Sequence, residues 1–282
     1  MTEPFSADAA KHWASCQPTP IIRWAGSKRK LLHVLSAYWR PEHLRYVEPF
    51  AGSSCLFFRL QPKSAILSDK NEQLIETYRV LRRMPDDLHD RVCSFPRGKR
   101  SYYRIRSIDP ETLSTSFERA ARFLFLNRFC FNGIFRTNTN GIFNVPFSPT
   151  GTGNIPPVSA FRACAGALRH VDLRACDFGS TLRSVRSGDF VYLDPPFAVE
   201  SRRVFREYGA KTFAREDFAR LAKHLKTIDA RGAFFLLSYA DCKESRALRS
   251  VWRGRRVPVR RHVAGFTGAR RLAYELIITN IE

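Results

Sequence analysis

Four short apolar segments each run into an acid: "RYVE" ends on Glu48, "SAILSD" on Asp69, "LRACD" on Asp177 and "FVYLD" on Asp194. Between them lie stretches with apolar residues at helical spacing. In "EQLIETYRVLRRM" the residues Leu74, Ile75, Tyr78 and Leu81 share one face, and Asn71 stands where a helix N-cap is needed. Parallel strands need crossovers, and helices supply them, so this alternation predicts an α/β fold with a twisted, mostly parallel sheet covered on both faces. The pattern continues through "AREDFARLAKHLKTI" as helix, "GAFFLLSYA" as strand and "KESRALRSVW" as helix, and closes on two strands in "RRVPVRRHVA" and "RLAYELIITNIE". Ligands of such sheets bind beyond the carboxyl ends of the strands, so the four acids are expected along one functional edge.

The alternation is interrupted over 85–164. This stretch is aromatic and Arg-rich, with "RGKRSYYRIRSI" followed by "FLFLNRFCFNGIFRTNTNGIFNVPFSPTGTGN". The latter reads as an apolar helix and then a Gly/Asn/Pro-rich loop. A mainly helical module inserted into a core formed by 21–84 and 165–282 is expected, after a loose N-terminus at 1–20. Ahead of the first strand, "SKRKLLHVLSAYW" has apolar positions at helical spacing and is stopped by Pro41.

Charge narrows the partner. Lys and Arg number 47 against 26 Asp and Glu, a formal net charge of +21, which points to a polyanion. Nucleic acid fits better than an anionic membrane, because the chain has no sustained amphipathic basic helix and no apolar run approaching the roughly 18 residues of a spanning helix. The opening "MTEPFSADAAKHWASCQPTP" lacks the apolar stretch of a signal peptide, so a cytoplasmic location is expected. The seven cysteines are scattered singly, without zinc spacing, and predict reduced, mostly buried thiols and no metal.

"DFVYLDPPF" poses the chemical question. On four letters alone, Asp194, Pro195, Pro196 and Phe197 serve equally well as a strand terminated by prolines with a turn-capping acid. The alternative rests on a difficulty of amine chemistry. The exocyclic amine of adenine or cytosine is a poor nucleophile, because its lone pair is delocalised into the ring. A carboxylate and a rigid backbone carbonyl that both accept its hydrogens hold the nitrogen nearer to tetrahedral. Asp194 and the Pro195 carbonyl suit that task, Pro196 fixes their geometry, and Phe197 offers a face for an extruded base.

A methyl donor needs its own pocket. In "EPFAGSS", which spans Glu48, Pro49, Phe50 and Gly52, the glycine permits close backbone approach and Glu48 can meet a positive group. Asp69, ending the next strand, is placed to grip ribose hydroxyls. In "IIRWAGSKRKLL", Trp24 reads either as core or as a plate over a ligand. Gly26 and Lys28 read either as a solvated helix start or as a receptor for a carboxylate.

Taken in order, "WAGSK", "EPFAGSS", "LSDKNEQLI", "LNRFCFNGIFRTNTNGIFNVPF", "CDF", "VYLDPPF" and "YELIITN" resemble the Dam-type site-specific DNA adenine methyltransferases over about residues 20–282. The resemblance implies a Rossmann-like core that uses S-adenosyl-L-methionine and carries an inserted helical target-recognition domain. It also implies that Trp24, Lys28, Asp69 and Asp194 contact the donor, that Asp177 and Phe178 hold its adenine, and that Asp194 to Phe197 hold the target adenine. The chain departs from the family at Phe197, where Tyr is usual, and at Ser53 or Ser54, where a second Gly often stands.

The insert is read on the same two levels. Asn127, Arg128, Asn132, Arg136, Asn138 and Asn140 among aromatic residues form a kit for phosphate and base-edge contacts, while buried Asn and Phe also organise loops that never touch DNA. The resemblance makes Arg136 a guanine reader, Phe131 a wedge and Asn132 a backbone contact near a flipped nucleotide. "FERAARFLFLN" reads as core, and "FPRGKRSYYRIR" as a phosphate track or a solvated face. Tyr208 and Phe213 are either a closing loop or packing. The implied partner is double-stranded DNA bound by a monomer, with a cognate restriction endonuclease as a further partner. Ring-carbon methylation of cytosine is disfavoured, because no Pro-Cys pair supplies a nucleophile. The four-letter motif alone does not separate adenine from cytosine amino methylation, and an inactive DNA-binding relative is the rival from another class.

Overall fold

The apolar segments become strands because helices bury them on both faces. β1 (Arg45–Glu48), β2 (Ala65–Asp69) and β4 (Asp189–Leu193) are buried almost throughout, as central parallel strands are. The computed structural model describes residues 17–138, 141–148, 153–196, 213–260 and 272–282. With β3 (Val171–Ala175), β5 (Phe234–Ala240), β6 (Arg253–Arg260) and β7 (Leu272–Thr279) these strands make one seven-stranded sheet, ordered β3-β2-β1-β4-β5-β7-β6. The first five are parallel to one another, and β7 runs antiparallel to both β5 and β6. The sheet is therefore mostly parallel, as the alternation predicts. The chain leaves β1 in one direction to build β2 and β3, and in the other to build β4 and β5. The switch point thus lies between Glu48 and Asp194.

Ten α-helices are described. The segment expected as one N-terminal helix is a single turn, α1 (Leu32–Leu35), between 3-10 turns at Arg29–Leu31 and Ser36–Tyr38, and none of the three has a side-chain cap. α2 (Cys55–Leu60) follows β1. Asn71 caps α3 (Glu72–Arg83) by accepting from the Leu74 amide at 3.1 Å. α4 (Pro85–Ser94), α5 (Lys99–Ser107), α6 (Ser116–Phe129) and α7 (Val158–Ala167) fill the interrupted region, which is helical as expected. α8 (Phe178–Arg183), α9 (Arg215–Ala230) and α10 (Lys243–Leu248) belong to the second half of the sheet. "LRACD" differs from expectation at its end. Strand β3 stops at Ala175, because Asp177 turns its carboxylate onto the Gly179 amide at 2.9 Å and caps α8.

α6 is buried continuously from Ala120 to Asn127, and its apolar residues join one core cluster with those of α3 and the sheet. Past α6, the bridges Cys130↔Phe147 and Thr137↔Phe143 fold the Gly/Asn/Pro-rich loop into an irregular hairpin. Half of the six described cysteines, Cys55, Cys130 and Cys164, are buried. No helix among the described residues is long and apolar enough to cross a membrane.

Asn127 lies inside this core. Its side chain donates to the Arg23 carbonyl at 2.6 Å and accepts from the Arg23 amide at 2.8 Å, pairing the N-terminal segment as a strand would. Asn127→Ala should therefore lower stability by about 1–3 kcal/mol, as two buried backbone groups lose their partner. Urea unfolding measures this, and an unchanged midpoint would show that the pairing with Arg23 adds nothing to stability.

Candidate active site

The carboxyl edge assembles its acids from consecutive strands. Asp194, just past β4, is 20% exposed, and its Oδ1 accepts from Lys28 Nζ at 2.6 Å and from Ser238 Oγ at 3.2 Å. Among the described residues no hydrogen bond reaches Asp194 Oδ2. Lys28 is buried, also donates to the Gly26 carbonyl at 2.9 Å, and lies 3.9 Å from Glu275 Oε2 on β7. Burial disfavours its charge, yet the Asp194 and Glu275 carboxylates outweigh that penalty and hold Lys28 above the ordinary lysine value. It is an ammonium at neutral pH. The pairing makes Lys28 part of the Asp194 site rather than a solvated helix start.

The turn after β1 is held from both sides. The Gly52 amide donates to Asp69 Oδ2 at 3.0 Å, and the Gly52 carbonyl accepts from Tyr78 Oη at 2.8 Å. Asp69 Oδ1 accepts from the Asn71 amide at 2.9 Å, so Asp69 ties this turn to the start of α3. Gly52 has φ +46, and a Cβ there would come within 2.6 Å of Trp24 Cδ1. Ser54, in the serine pair where the family often has Gly, adopts φ 47 itself, so the turn keeps a left-handed backbone at a strain of about 1–2 kcal/mol. Glu48 is buried beside this turn and accepts from Tyr46 Oη at 3.1 Å. Burial drives its carboxyl well above the ordinary glutamate value, against the opposing pull of that hydrogen bond.

Pro49 is buried, and Phe50 packs on Phe178 with ring centroids 5.2 Å apart. Phe213 closes the group, at 6.0 Å from Phe50 and 6.1 Å from Phe178. Of the two roles open for Phe213 the structure gives packing, because this aromatic cluster holds it almost fully buried. Arg220 lies 4.1 Å over the Phe178 ring and pairs with Asp177 Oδ2 at 2.8 Å. The edge thus offers buried carboxyls to a cation and aromatic rings with a flanking acid to a heterocycle. That set fits a donor carrying both.

Pro195 is buried and Pro196 half-buried at the mouth of the edge. Phe197, Tyr208 and Asn140 lie outside the described residues.

In the insert, Trp24 stacks on Phe135 at 5.8 Å and 14°. Asn132 is exposed at φ 55, and Phe131 packs half-buried against the core. Arg136 donates through Nε to Asn144 Oδ1 at 2.8 Å, across the hairpin. Asn138 accepts from the Ile142 amide at 2.9 Å and shapes the turn. Arg128, at the end of α6, is tied to the backbone on both sides. It spends its donors on the carbonyls of Asn154 and, at 3.2 Å, Ile21, and burial lowers its guanidinium to about 10.

Sequence reasoning missed Ser238, Tyr192, Glu275 and Arg220. For Ser238 and Glu275 a signal existed: each interrupts the apolar middle of its strand, in "FFLLSYA" and "LAYELIIT", and a polar group so placed needs a partner.

Buried carboxyls and packed aromatic rings gathered at the switch point, beside Asp194, suit a group-transfer enzyme of the methyltransferase class. Residues 24–258 match the family described as D12 class N6 adenine-specific DNA methyltransferase, and the chain belongs to that family. Its relatives include the type II methyltransferase M1.LlaDCHI of Lactococcus lactis subsp. cremoris, 29% identical over 93% of this chain and 95% of that protein. Type II methyltransferase M.MjaIII of Methanocaldococcus jannaschii is 32% identical over 78% of this chain and 83% of its own length. A DNA adenine methylase of Vibrio cholerae is 32% identical over 81% and 83%. The family decides between the two amines in favour of adenine N6.

Because native Glu48 keeps its proton to higher pH than the unfolded chain does, the native state binds more protons above the ordinary glutamate range. Its contribution to stability is complete below that range and is lost as pH rises towards the folded value. Glu48→Gln keeps an acceptor for Tyr46 and removes this loss. The donor-free variant should be more stable than the parent at neutral pH, by a margin that grows as pH rises above the ordinary glutamate range. Urea titrations at several pH values test this, and a constant difference would contradict it.

Proposed function

We propose that this adenine-specific DNA methyltransferase uses S-adenosyl-L-methionine and acts on an adenine turned out of a short duplex sequence. The observation that carries the reading is the asymmetry of Asp194, whose Oδ1 takes both Lys28 and Ser238 while Oδ2 faces none of the described donors. Oδ2 is then the acceptor for one N6 hydrogen, and the Pro195 carbonyl accepts the other. Drawn towards tetrahedral, N6 directs its lone pair at the electrophile. Bound at the edge, the donor supplies a methyl group on a sulfonium. Attack would form the N6–methyl bond as the sulfur–methyl bond breaks, and Asp194 Oδ2 would take the proton that N6 then loses and pass it to solvent. Phe197 stacks on the extruded base.

Glu48, with Pro49 and Gly52 shaping the turn, faces the cationic part of the donor. Trp24 and Gly26 border it, Asp69 meets the ribose, and Phe50, Asp177 and Phe178 meet the adenine ring. Arg136, steered by Asn144, is the candidate reader of a guanine edge, with Phe131 as wedge and Asn132 and Asn138 as backbone contacts. Arg128, held on the Asn154 and Ile21 carbonyls beside the hairpin's first strand, is a further candidate phosphate contact. On α5, Lys99, Arg100 and Arg104 are exposed beside the hairpin that Tyr102 and Arg106 anchor through the Val145 carbonyl, a placement suited to phosphates. The helical region 85–164 is thus the target-recognition module on the core of 21–84 and 165–282. The type II relatives support a cognate restriction endonuclease as partner, and a cytoplasmic monomer completes the reading.

Asp194→Ala should abolish methyl transfer to duplex DNA while the circular dichroism spectrum is retained, and a fully active variant would sink the mechanism. Arg136→Ala should relax sequence choice at one base pair by about 1–3 kcal/mol. Competition between single-substituted duplexes reads this, and an unchanged preference at every position removes Arg136 from readout.

A further inference from the structure

Ser238 is fully buried near the middle of an otherwise apolar strand, β5. A hydroxyl there is unfavourable unless its hydrogen-bonding capacity is used. β4 and β5 pair in parallel with Tyr192 opposite Leu236 and Leu193 opposite Leu237, so Ser238 falls level with Asp194. Side chains two apart share a face, which brings Tyr192, Asp194 and Ser238 to the same side of the sheet.

The contacts there have a direction. Asp194 Oδ1 accepts from Ser238 Oγ at 3.2 Å, and Ser238 Oγ lies 3.2 Å from the Tyr192 hydroxyl. A serine hydroxyl has one hydrogen, and here it goes to the carboxylate, so the Tyr192 hydroxyl must donate to Ser238 Oγ. The result is a buried relay from Tyr192 to Ser238 to Asp194 Oδ1. Lys28 reaches the same oxygen at 2.6 Å from the N-terminal segment. An ammonium is a non-directional point charge that fixes distance but not carboxylate rotation. A second donor on Oδ1, arriving from β5, fixes the rotation and so sets where Oδ2 points.

We propose that Ser238, oriented by Tyr192, is a positioning residue that locks the rotation of Asp194 so that Oδ2 faces the target amine. This rests on the functional reading of Asp194 given above, and it adds residues that the four-letter motif does not contain. Ser238 touches neither donor nor base. It acts through the carboxylate.

The test is single-turnover methyl transfer to duplex DNA at saturating S-adenosyl-L-methionine, with equilibrium binding of donor and DNA measured in parallel. Ser238→Ala should slow transfer by roughly 10- to 100-fold, the scale of a small misplacement of a reacting group, with both binding constants unchanged. Ser238→Thr, which keeps the hydroxyl, should restore most of the rate. Tyr192→Phe should give a smaller loss that disappears in the Ser238→Ala background, because the relay is already broken there. A Ser238→Ala enzyme that transfers at the parent rate overturns the proposal, as do losses from the two substitutions that simply multiply. Should Ser238→Ala not fold, Tyr192→Phe decides alone: a slowed rate at parental melting temperature supports the relay, and a parental rate removes it. The parent enzyme is the control. Its inactivity would refute the functional reading, whereas an active parent with an equally active variant refutes only the role of Ser238.

Discussion

The ion pair between Lys28 and Asp194 joins positions 166 residues apart, and the site is organised around it. The Lys28 ammonium is buried, and desolvation penalises its charge. Asp194 supplies the counter-charge from a separate part of the chain, and Glu275 balances the ammonium from the other side. Removing Lys28 costs about 3–5 kcal/mol, since the carboxylates around it are left uncompensated. Folding and catalytic geometry therefore rest on the same contact, and the N-terminal segment must dock before the acid can be held.

That segment also joins the two working parts of the molecule. Trp24 meets the Gly52 turn on one side and stacks on Phe135 of the recognition hairpin on the other. Arg23 is clamped by Asn127, and a Cβ on Gly133 would come within 2.5 Å of the Arg23 side chain. Small residues at Gly52 and Gly133 are what allow one extended segment to pass between the donor turn and the hairpin. The helices of 85–164 share one core cluster with the sheet, so the hairpin stands on a rigid base.

The sheet was legible from its period and from the acids that end its strands, because strand burial and the switch point follow from alternation alone. Glu48, Asp69 and Asp194 stand at the edge where they were expected. Asp177 reaches that edge as a helix cap rather than a strand end, a choice made by the Gly179 amide that follows it. Less legible was everything that depends on pairing across the sequence. Arg128 has the residue type and neighbourhood of a DNA contact, but nothing local announces that the Ile21 and Asn154 carbonyls will claim it. Ser238 and Glu275 were visible only as polar interruptions in apolar strands, without a sign of what they face. Their partner is named by register, and register is a tertiary property.

The most direct measurement is modification-sensitive sequencing of genomic DNA from a methylation-free host that expresses this chain. The account predicts N6-methyladenine confined to one short sequence, on the strand and base that Arg136 and its neighbours select. An unmodified genome in cells that contain the folded protein, or methyl groups found on cytosine alone, would contradict it.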